Sequence, residues 1–436
     1  MHTVARGLAH AFFAAEWTLS GLHDCGATAL GSRPKWLRAL CERVIAALPT
    51  RPSELAPLLE LVANDERLTA NLKNRRAATH RVRQWLVASD EMVPVQGPPA
   101  HFDVPPIATA GDLAKHLGVS IGQLPWFADL RRMNAARSDL CLRHYQYRWV
   151  RKPSGGMRLL ETPKPRLKAI QRSLLQDILS RCPTDDAAHG FVPGRSVLSY
   201  AKLHVAQQVV LRLDLEDFFL SIRAGRITAI FRRLGYPEPV ARMLTGLCCT
   251  PTPEDIIAKA RPTLDFQTIA RMRDAHLAQG APTSPALSNL ACLRLDRRLR
   301  GLARAAGARY SRYADDLAFS GGDAFQRGVS HFIVHASAIA LEEGFRVRHR
   351  KTRVMRDGGR QWLSGVVVND RLNIRRDEYD RLRATLHNAV RLGPDSQNRE
   401  GHADFKAHLR GRLAWVAASN RARAEKLERV FEQIRW

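Results

Sequence analysis

Arg309-Tyr310-Ser311-Arg312-Tyr313-Ala314-Asp315-Asp316-Leu317-Ala318-Phe319-Ser320-Gly321 decides how the chain is read. Aromatic and apolar residues lead up to two adjacent acids and away from them again. The pattern predicts a β-hairpin: strand, tight turn at the acids, strand. Unpaired carboxylates at a hairpin tip are costly unless a cation neutralises them. Mg²⁺, which prefers oxygen ligands and keeps room for substrate phosphates, suits the place. Alone, Asp-Asp equally marks a surface turn, so the surroundings must choose.

Upstream lies Val209-Val210-Leu211-Arg212-Leu213-Asp214-Leu215-Glu216-Asp217-Phe218-Phe219-Leu220-Ser221-Ile222. An apolar run broken only by Arg212 predicts a strand in a covered sheet. Asp214 stands near its end, where a sheet can present it to the hairpin acids; by itself it would also serve as a helix N-cap. Three carboxylates from two strands can hold two metal ions. Such a pair activates an attacking 3′-hydroxyl and stabilises a leaving pyrophosphate oxygen. Between these segments runs Gln279-Gly280-Ala281-Pro282-Thr283-Ser284-Pro285-Ala286-Leu287-Ser288-Asn289-Leu290. Gly280 permits close approach of a ligand, and Pro285 with the apolar residues after it predicts the start of a buried helix.

In this order the chain resembles the reverse transcriptases, in particular those of bacterial retrons. The likeness is carried by Asp214 to Ile222, by Gln279 to Asn289 with Leu295-Asp296-Arg297-Arg298-Leu299, and by Ala188-His189-Gly190-Phe191-Val192-Pro193-Gly194-Arg195-Ser196-Val197. It spans about residues 126 to 375. It implies an α+β right-hand polymerase with fingers, palm and thumb, preceded by an all-helical N-terminal extension. The expected divisions are 1–92 extension, 93–107 Pro-rich linker, 108–144 small helical lead-in, 145–369 fingers and palm, and 370–436 basic helical thumb. The implied activity is RNA-directed DNA synthesis that copies part of a structured noncoding RNA, in antiphage defence. Asp214, Asp315 and Asp316 would hold two Mg²⁺ ions, with the carbonyl of Leu215 as a further ligand. Gln279 and Gly280 would support the nucleotide and template base. Phe219 would lie beneath the sugar and exclude a 2′-hydroxyl, unless it is a core residue at the turn. Lys351 would stand near the leaving pyrophosphate as a proton donor. Tyr200, His204, Ser364 and Gly365 occupy positions tied in the family to RNA recognition. Two of these places depart from the family pattern: Tyr200 stands for an Asn, and Leu363-Ser364-Gly365 for Val-Thr-Gly.

Tyr147-Arg148-Trp149-Val150 and Met157-Arg158-Leu159-Leu160 flank Lys152-Pro153-Ser154-Gly155-Gly156, a predicted hairpin. It resembles the fingers hairpin that grips an incoming nucleotide. Arg158 could fork onto a triphosphate oxygen with Lys152 beside it, or both could be solvated charges. Partners implied are the RNA template and primer, the RNA–DNA hybrid, dNTPs, an effector protein and a host RNase H, since no separate RNase H acid cluster is seen.

Composition agrees with a polyanionic partner. The 436 residues carry 68 Lys and Arg against 42 Asp and Glu, a net charge of +26. Such an excess repels itself unless an acidic partner neutralises it, and nucleic acid binding would then be steeply salt-dependent. The basic residues are spread through every segment, which disfavours a membrane surface. No apolar run is long enough to predict a transmembrane span, and His10 and Glu16 in the first apolar stretch disfavour a signal peptide. Seven unpatterned cysteines predict neither zinc nor a disulfide framework and fit a reducing cytoplasm.

Elsewhere, Leu37, Leu40, Cys41, Val44 and Leu48 fall on one helical face. Leu68 to Ala88 reads as a basic helix, and Thr109 to Leu124 resembles a helix-turn-helix. Glu254 to Leu277 reads as a helical insertion without assigned chemistry. Phe325 to Glu343 is a predicted helix and Gly344 to Arg348 a predicted strand. Phe405, Leu409, Leu413 and Val416 make an apolar stripe in the helical C-terminal segment. Three alternatives stay open: a group II intron-like enzyme, a defence reverse transcriptase without a retron RNA, and a non-catalytic RNA-binding scaffold.

Overall fold

Strand Val209–Asp214 is an interior strand of the main sheet, paired on both edges. The computed structural model describes residues 3–52, 55–73, 81–86, 92, 102–136, 140–152 and 155–436. Most of the expected Pro-rich linker, the centre of the basic stretch 68–88, and Pro153 with Ser154 lie outside the described residues. The chain divides into two units, Met1–Met92 and Val93–Trp436.

In the first unit, helices span Thr3–Ala14, Leu19–Leu30, Lys35–Ala47, Leu55–Ala63 and Glu66–Lys73. Thr18 caps the second helix at its start, and left-handed Gly31 ends it. The helices close on a core that includes Leu8, Phe12, Leu22, Leu37, Leu40, Cys41, Val44, Leu58 and Val62, with Leu48 partly buried against it.

In the second unit, the segment read as a helix-turn-helix forms helices Ala110–His116 and Leu124–Ala128 around left-handed Gly118. The second helix has five residues and buries Leu124, Phe127 and Ala128. A helix that short, with its apolar side turned inward, offers no reading head for a DNA groove. Strands β1 (Tyr145–Arg151) and β2 (Met157–Pro163) then pair antiparallel, from Tyr145 opposite Pro163 to Arg151 opposite Met157.

Strand β3 (Val209–Asp214) is buried nearly throughout, as a strand with neighbours on both edges must be. The short strands β4 (Cys249–Thr250) and β5 (His276–Leu277) pair and bracket the predicted insertion, which forms helices Glu254–Ala258 and Phe266–Arg273. The hairpin is β6 (Arg309–Tyr313) and β7 (Asp316–Gly321). Strand β8 (Arg353–Arg356) completes an antiparallel sheet in the order β6-β7-β3-β8. The strand predicted at 344–348 does not form. Val347 makes one isolated bridge to Leu215, just past the stretch of β3 that β8 pairs.

A small sheet follows from β9 (Trp362–Leu363), β10 (Val366–Val367) and β11 (Asn373–Ile374). Ser364 and Gly365 link β9 to β10, with φ of 44° and 91°. Both residues of this two-residue turn lie at positive φ, as tight hairpin turns demand. Helices Arg376–Leu392, Phe405–Ser419 and Arg421–Phe431 end the chain. Leu409, Leu413 and Val416 lie in their shared core, with Phe405 packed against it.

Candidate active site

The hairpin and β3 bring the three acids to one end of the sheet. Asp214 stands directly opposite Asp316 in the antiparallel register. Ala314 and Asp315 form the turn, with Ala314 left-handed at φ 56°, and the Leu215 amide donates to the Asp315 carbonyl at 2.9 Å.

A buried network holds that turn. Arg312 and Asp296 are both fully buried and pair at 2.6 Å. Tyr310 donates to the same carboxylate at 2.7 Å, while Arg312 also donates to Asn289 Oδ1 at 3.0 Å and to the Ala314 carbonyl at 3.2 Å. A buried ion pair keeps its place when every lone pair and proton finds a partner. Segment 187–191 runs beside β6, with the Arg312 amide donating to the Ala187 carbonyl and the His189 amide to the Arg312 carbonyl, each at 2.7 Å. Gly190 is required here, because a methyl group on it would sit 2.6 Å from the Ala314 nitrogen.

Each acid has a different environment. Asp214 is buried, receives Lys351 Nζ on Oδ2 at 2.9 Å, and lies 3.6 Å from Arg348. Its Oδ1 is buried without a hydrogen-bond partner. Asp316 accepts a forked contact from Arg212 at 2.8 and 3.1 Å and a hydrogen bond from Ser364 Oγ at 2.8 Å. Arg212 in turn lies over the Trp362 ring. Asp315 feels Lys351 only weakly. Burial, with Asp316 and Asp214 nearby, raises its carboxyl to about 6. Among the described residues, no three His, Cys, Asp or Glu side chains gather around one point as a formed metal site. The donor set nevertheless suits a hard cation: three carboxylates at one end of the sheet, one of them with a buried oxygen that lacks a hydrogen-bond partner.

Beside the acids opens a cleft of about 340 Å³. Lys152, Arg158, Gln279, Arg348 and Lys351 line it together with Asp315, Asp217, Leu215, Phe219 and Phe191. The Lys152 ammonium is pushed below its ordinary range by burial and then by Arg348, with Arg158 and Lys351 adding to the repulsion and Asp217 opposing it. Four cations facing one cleft make a seat for a polyphosphate. Phe218 is buried and stacks on Phe345, whereas half-buried Phe219 faces the cleft, its ring 6.3 Å from that of Phe191. Gly280, at φ 129°, is exposed at the loop.

The expected RNA-recognition residues divide. Tyr200 and His204 are fully buried, and their side chains meet protein on every side. His204 bridges Ser311 and Ser320 on β6 and β7 at 2.7 Å each. Burial, with Arg309 and His189 nearby, pushes its pKa down to about 3, so it stays neutral. Tyr200 fills the core under the sheet with Val210, Ala318, Leu363 and Val366. Neither side chain is exposed, and both support the hairpin from behind. Ser364 reaches the second acid of the hairpin, a contact its motif did not announce.

Several residues of the site escaped sequence reading. Arg212 left a trace, as a charge inside an apolar strand; Asp296 left a similar one in a buried helix. Asp217, held by Arg271 at 3.1 Å and Thr268 at 2.7 Å, ties the insertion to the cleft wall. Arg348 and Phe191 left no signal. Phe191 is a bulky residue at φ 63°, a strained conformation, and is 45% exposed.

Comparison with known proteins adds a lineage to this geometry. The family described as reverse transcriptase (RNA-dependent DNA polymerase) matches residues 150–381. The Retron Mx65 reverse transcriptase of Myxococcus xanthus is 39% identical over 408 residues, 89% of this chain and 89% of its own length. The Retron Mx162 reverse transcriptase of the same organism is 37% identical over 72% of this chain and 64% of its own length. The Retron Ec86 reverse transcriptase of Escherichia coli is 30% identical over 61% and 72% respectively.

Proposed function

The chain belongs to the retron reverse transcriptases, and from that membership we propose how its residues divide the work of an RNA-directed DNA polymerase. The sheet β6-β7-β3-β8 is the palm, the β1-β2 hairpin belongs to the fingers, and residues 370–436 are the thumb. Asp214, Asp315 and Asp316, with the Leu215 carbonyl, would hold two Mg²⁺ ions. Bound there, the ions supply charge for activating the primer 3′-hydroxyl and for stabilising the leaving pyrophosphate. Lys152, Arg158 and Arg348 seat the triphosphate by charge-assisted hydrogen bonds. Lys351 neutralises Asp214 until substrate arrives and then faces the pyrophosphate as a proton donor. Phe219 forms the floor under the sugar, where a ring leaves no room for a 2′-hydroxyl. Gln279 and Gly280 line the path of the base.

The template is a structured noncoding RNA, part of which is copied into DNA, and the setting is antiphage defence with an effector protein. Host RNase H removes the copied RNA. The thumb follows the RNA–DNA hybrid, its helix Phe405–Ser419 turning Arg412 and Trp415 outward along a groove. Ser364 acts through Asp316, and Gly365 completes the turn that presents it.

The observation that carries this reading is Asp214 opposite Asp316 beside a cleft lined by four cations. The test is primer extension with dNTPs on a primed RNA template, alongside sequencing of the nucleic acid that copurifies. Asp214→Asn and Asp315→Asn should each abolish incorporation, and the copurified material should be one RNA covalently joined to DNA. Near wild-type extension by a folded Asp315→Asn protein would overturn the metal assignment. A random mixture of cellular RNA would overturn the template assignment.

A further inference from the structure

Glu161 on β2 is 1% exposed. A carboxylate so placed is strongly disfavoured unless it is paired and its oxygens are satisfied. Both are. Thr252 Oγ1 donates to Oε1 at 2.8 Å, and His276 Nε2 meets Oε2 at 2.9 Å. His276 is fully buried, and its other nitrogen, Nδ1, lies 2.7 Å from the Asp274 carbonyl. Both ring nitrogens therefore lie within hydrogen-bond distance of oxygens, and the proton between Nε2 and Oε2 is shared by the pair. Burial opposes a charge on the ring, but Glu161 outweighs it and raises the ring's affinity for a proton above the ordinary value, which favours a buried ion pair.

Its position gives it a use. Three parts of the cleft wall meet at Glu161. Its own strand carries Arg158 and returns from the turn that begins at Lys152. The β4-β5 pair places His276 opposite Thr250 and closes the insertion whose Thr268 holds Asp217. The third part is the loop that follows His276: the Glu161 amide donates to the Gln279 carbonyl at 2.9 Å, and a methyl group on Gly280 would lie 3.2 Å from the Glu161 carbonyl. Apolar side chains could fill this volume but could not fix direction; a carboxylate bridging a hydroxyl and an imidazole ring does.

We propose that Glu161 and His276 are positioning residues, which lock the β1-β2 hairpin to the Gln279–Gly280 loop so that Lys152 and Arg158 point into the cleft. The proposal rests on the reading of those two cations as the triphosphate seat. Neither Glu161 nor His276 meets substrate; they act through the hairpin.

The test is a mutant cycle in the full-length protein, read as KM for dNTP and kcat on a primed RNA template. Glu161→Gln should raise KM roughly tenfold and leave kcat at saturating dNTP within about twofold. Thr252→Val, a near-isosteric change that spares the ion pair, should raise KM in the same direction by less, and it keeps the test alive should Glu161→Gln fail to fold. In a background of Lys152→Ala with Arg158→Ala, Glu161→Gln should have no further effect, because the groups it positions are gone. Amide exchange across 145–163 should quicken in Glu161→Gln while the rest of the sheet stays protected. If Lys152→Ala with Arg158→Ala raises KM but Glu161→Gln or Thr252→Val does not, or if the effects simply add, the positioning role is wrong and the triphosphate seat stands. If Lys152→Ala with Arg158→Ala leaves KM unchanged, the seat itself falls and the proposal falls with it.

Discussion

Replacing Asp315 with Asn should abolish polymerisation and at the same time make the metal-free protein more stable. An ordinary aspartate titrates near 3.8, whereas Asp315 is raised to about 6 by burial and by its acidic neighbours. A folded-state carboxyl raised above its unfolded value costs stability as pH climbs. The cost is absent below pH 3.8, grows between 3.8 and about 6, and is complete above that. Two tenfold steps in proton affinity correspond to roughly 3 kcal/mol. The side chain is only partly shielded, so water at the cleft mouth screens it and about 1–2 kcal/mol is the better expectation. The assay is equilibrium urea unfolding of wild type and Asp315→Asn in EDTA, at pH 7.5 and at pH 5. The variant should be more stable by that amount at pH 7.5, and roughly half of the gain should be gone at pH 5. Mg²⁺ should then raise wild-type stability and leave the variant almost unmoved. A variant no more stable than wild type at pH 7.5, or a gain equal at both pH values, would refute the crowded-carboxylate argument.

Other consequences are as direct. Phe219→Ala should raise ribonucleotide incorporation relative to deoxyribonucleotide by roughly tenfold or more; unchanged discrimination in an active variant would return Phe219 to a packing role. Phe191→Gly should release the strain at φ 63°, so urea unfolding should show no loss of stability despite the missing ring, while primer extension weakens. A clear destabilisation would mean that the ring, not the backbone, is what the fold needs there. Binding of the copurified RNA should weaken steeply with salt, and Arg412→Gln should lower the log–log slope by about one if that guanidinium neutralises a phosphate; an unchanged slope would remove it from the interface.

The central sheet was legible because its two signals are local. Val209–Asp214 is apolar enough to demand cover on both sides, and the hairpin announces itself through alternation around its two acids. What those strands need from elsewhere was not legible. Arg312 and Asp296 read as ordinary charges in sequence, sixteen residues apart, and only the packed helix shows them as one buried pair. The burial of Tyr200 and His204 was not legible either, because a motif records that residues matter without recording which way they face. The strand expected at 344–348 failed for a related reason. The segment does run along the edge of β3, but only past its end, where the Glu216 amide donates to the Arg346 carbonyl and the Arg348 amide to the Asp214 carbonyl, too short a ladder to count as a strand. Arg348 then finishes as a loop residue beside Asp214.

The order of the sheet also has a price during synthesis. Strand β3 is its most apolar member, yet its partners come late: Arg212 and Asp316 are 104 residues apart in sequence, and β8 lies further on still. At ribosomal rates of about 5–20 residues per second, β3 waits roughly 5–20 s with both edges unpaired. An apolar strand with open edges is a template for intermolecular pairing. Truncations that end between residues 215 and 316 should therefore partition into insoluble aggregates rather than yield a smaller folded core.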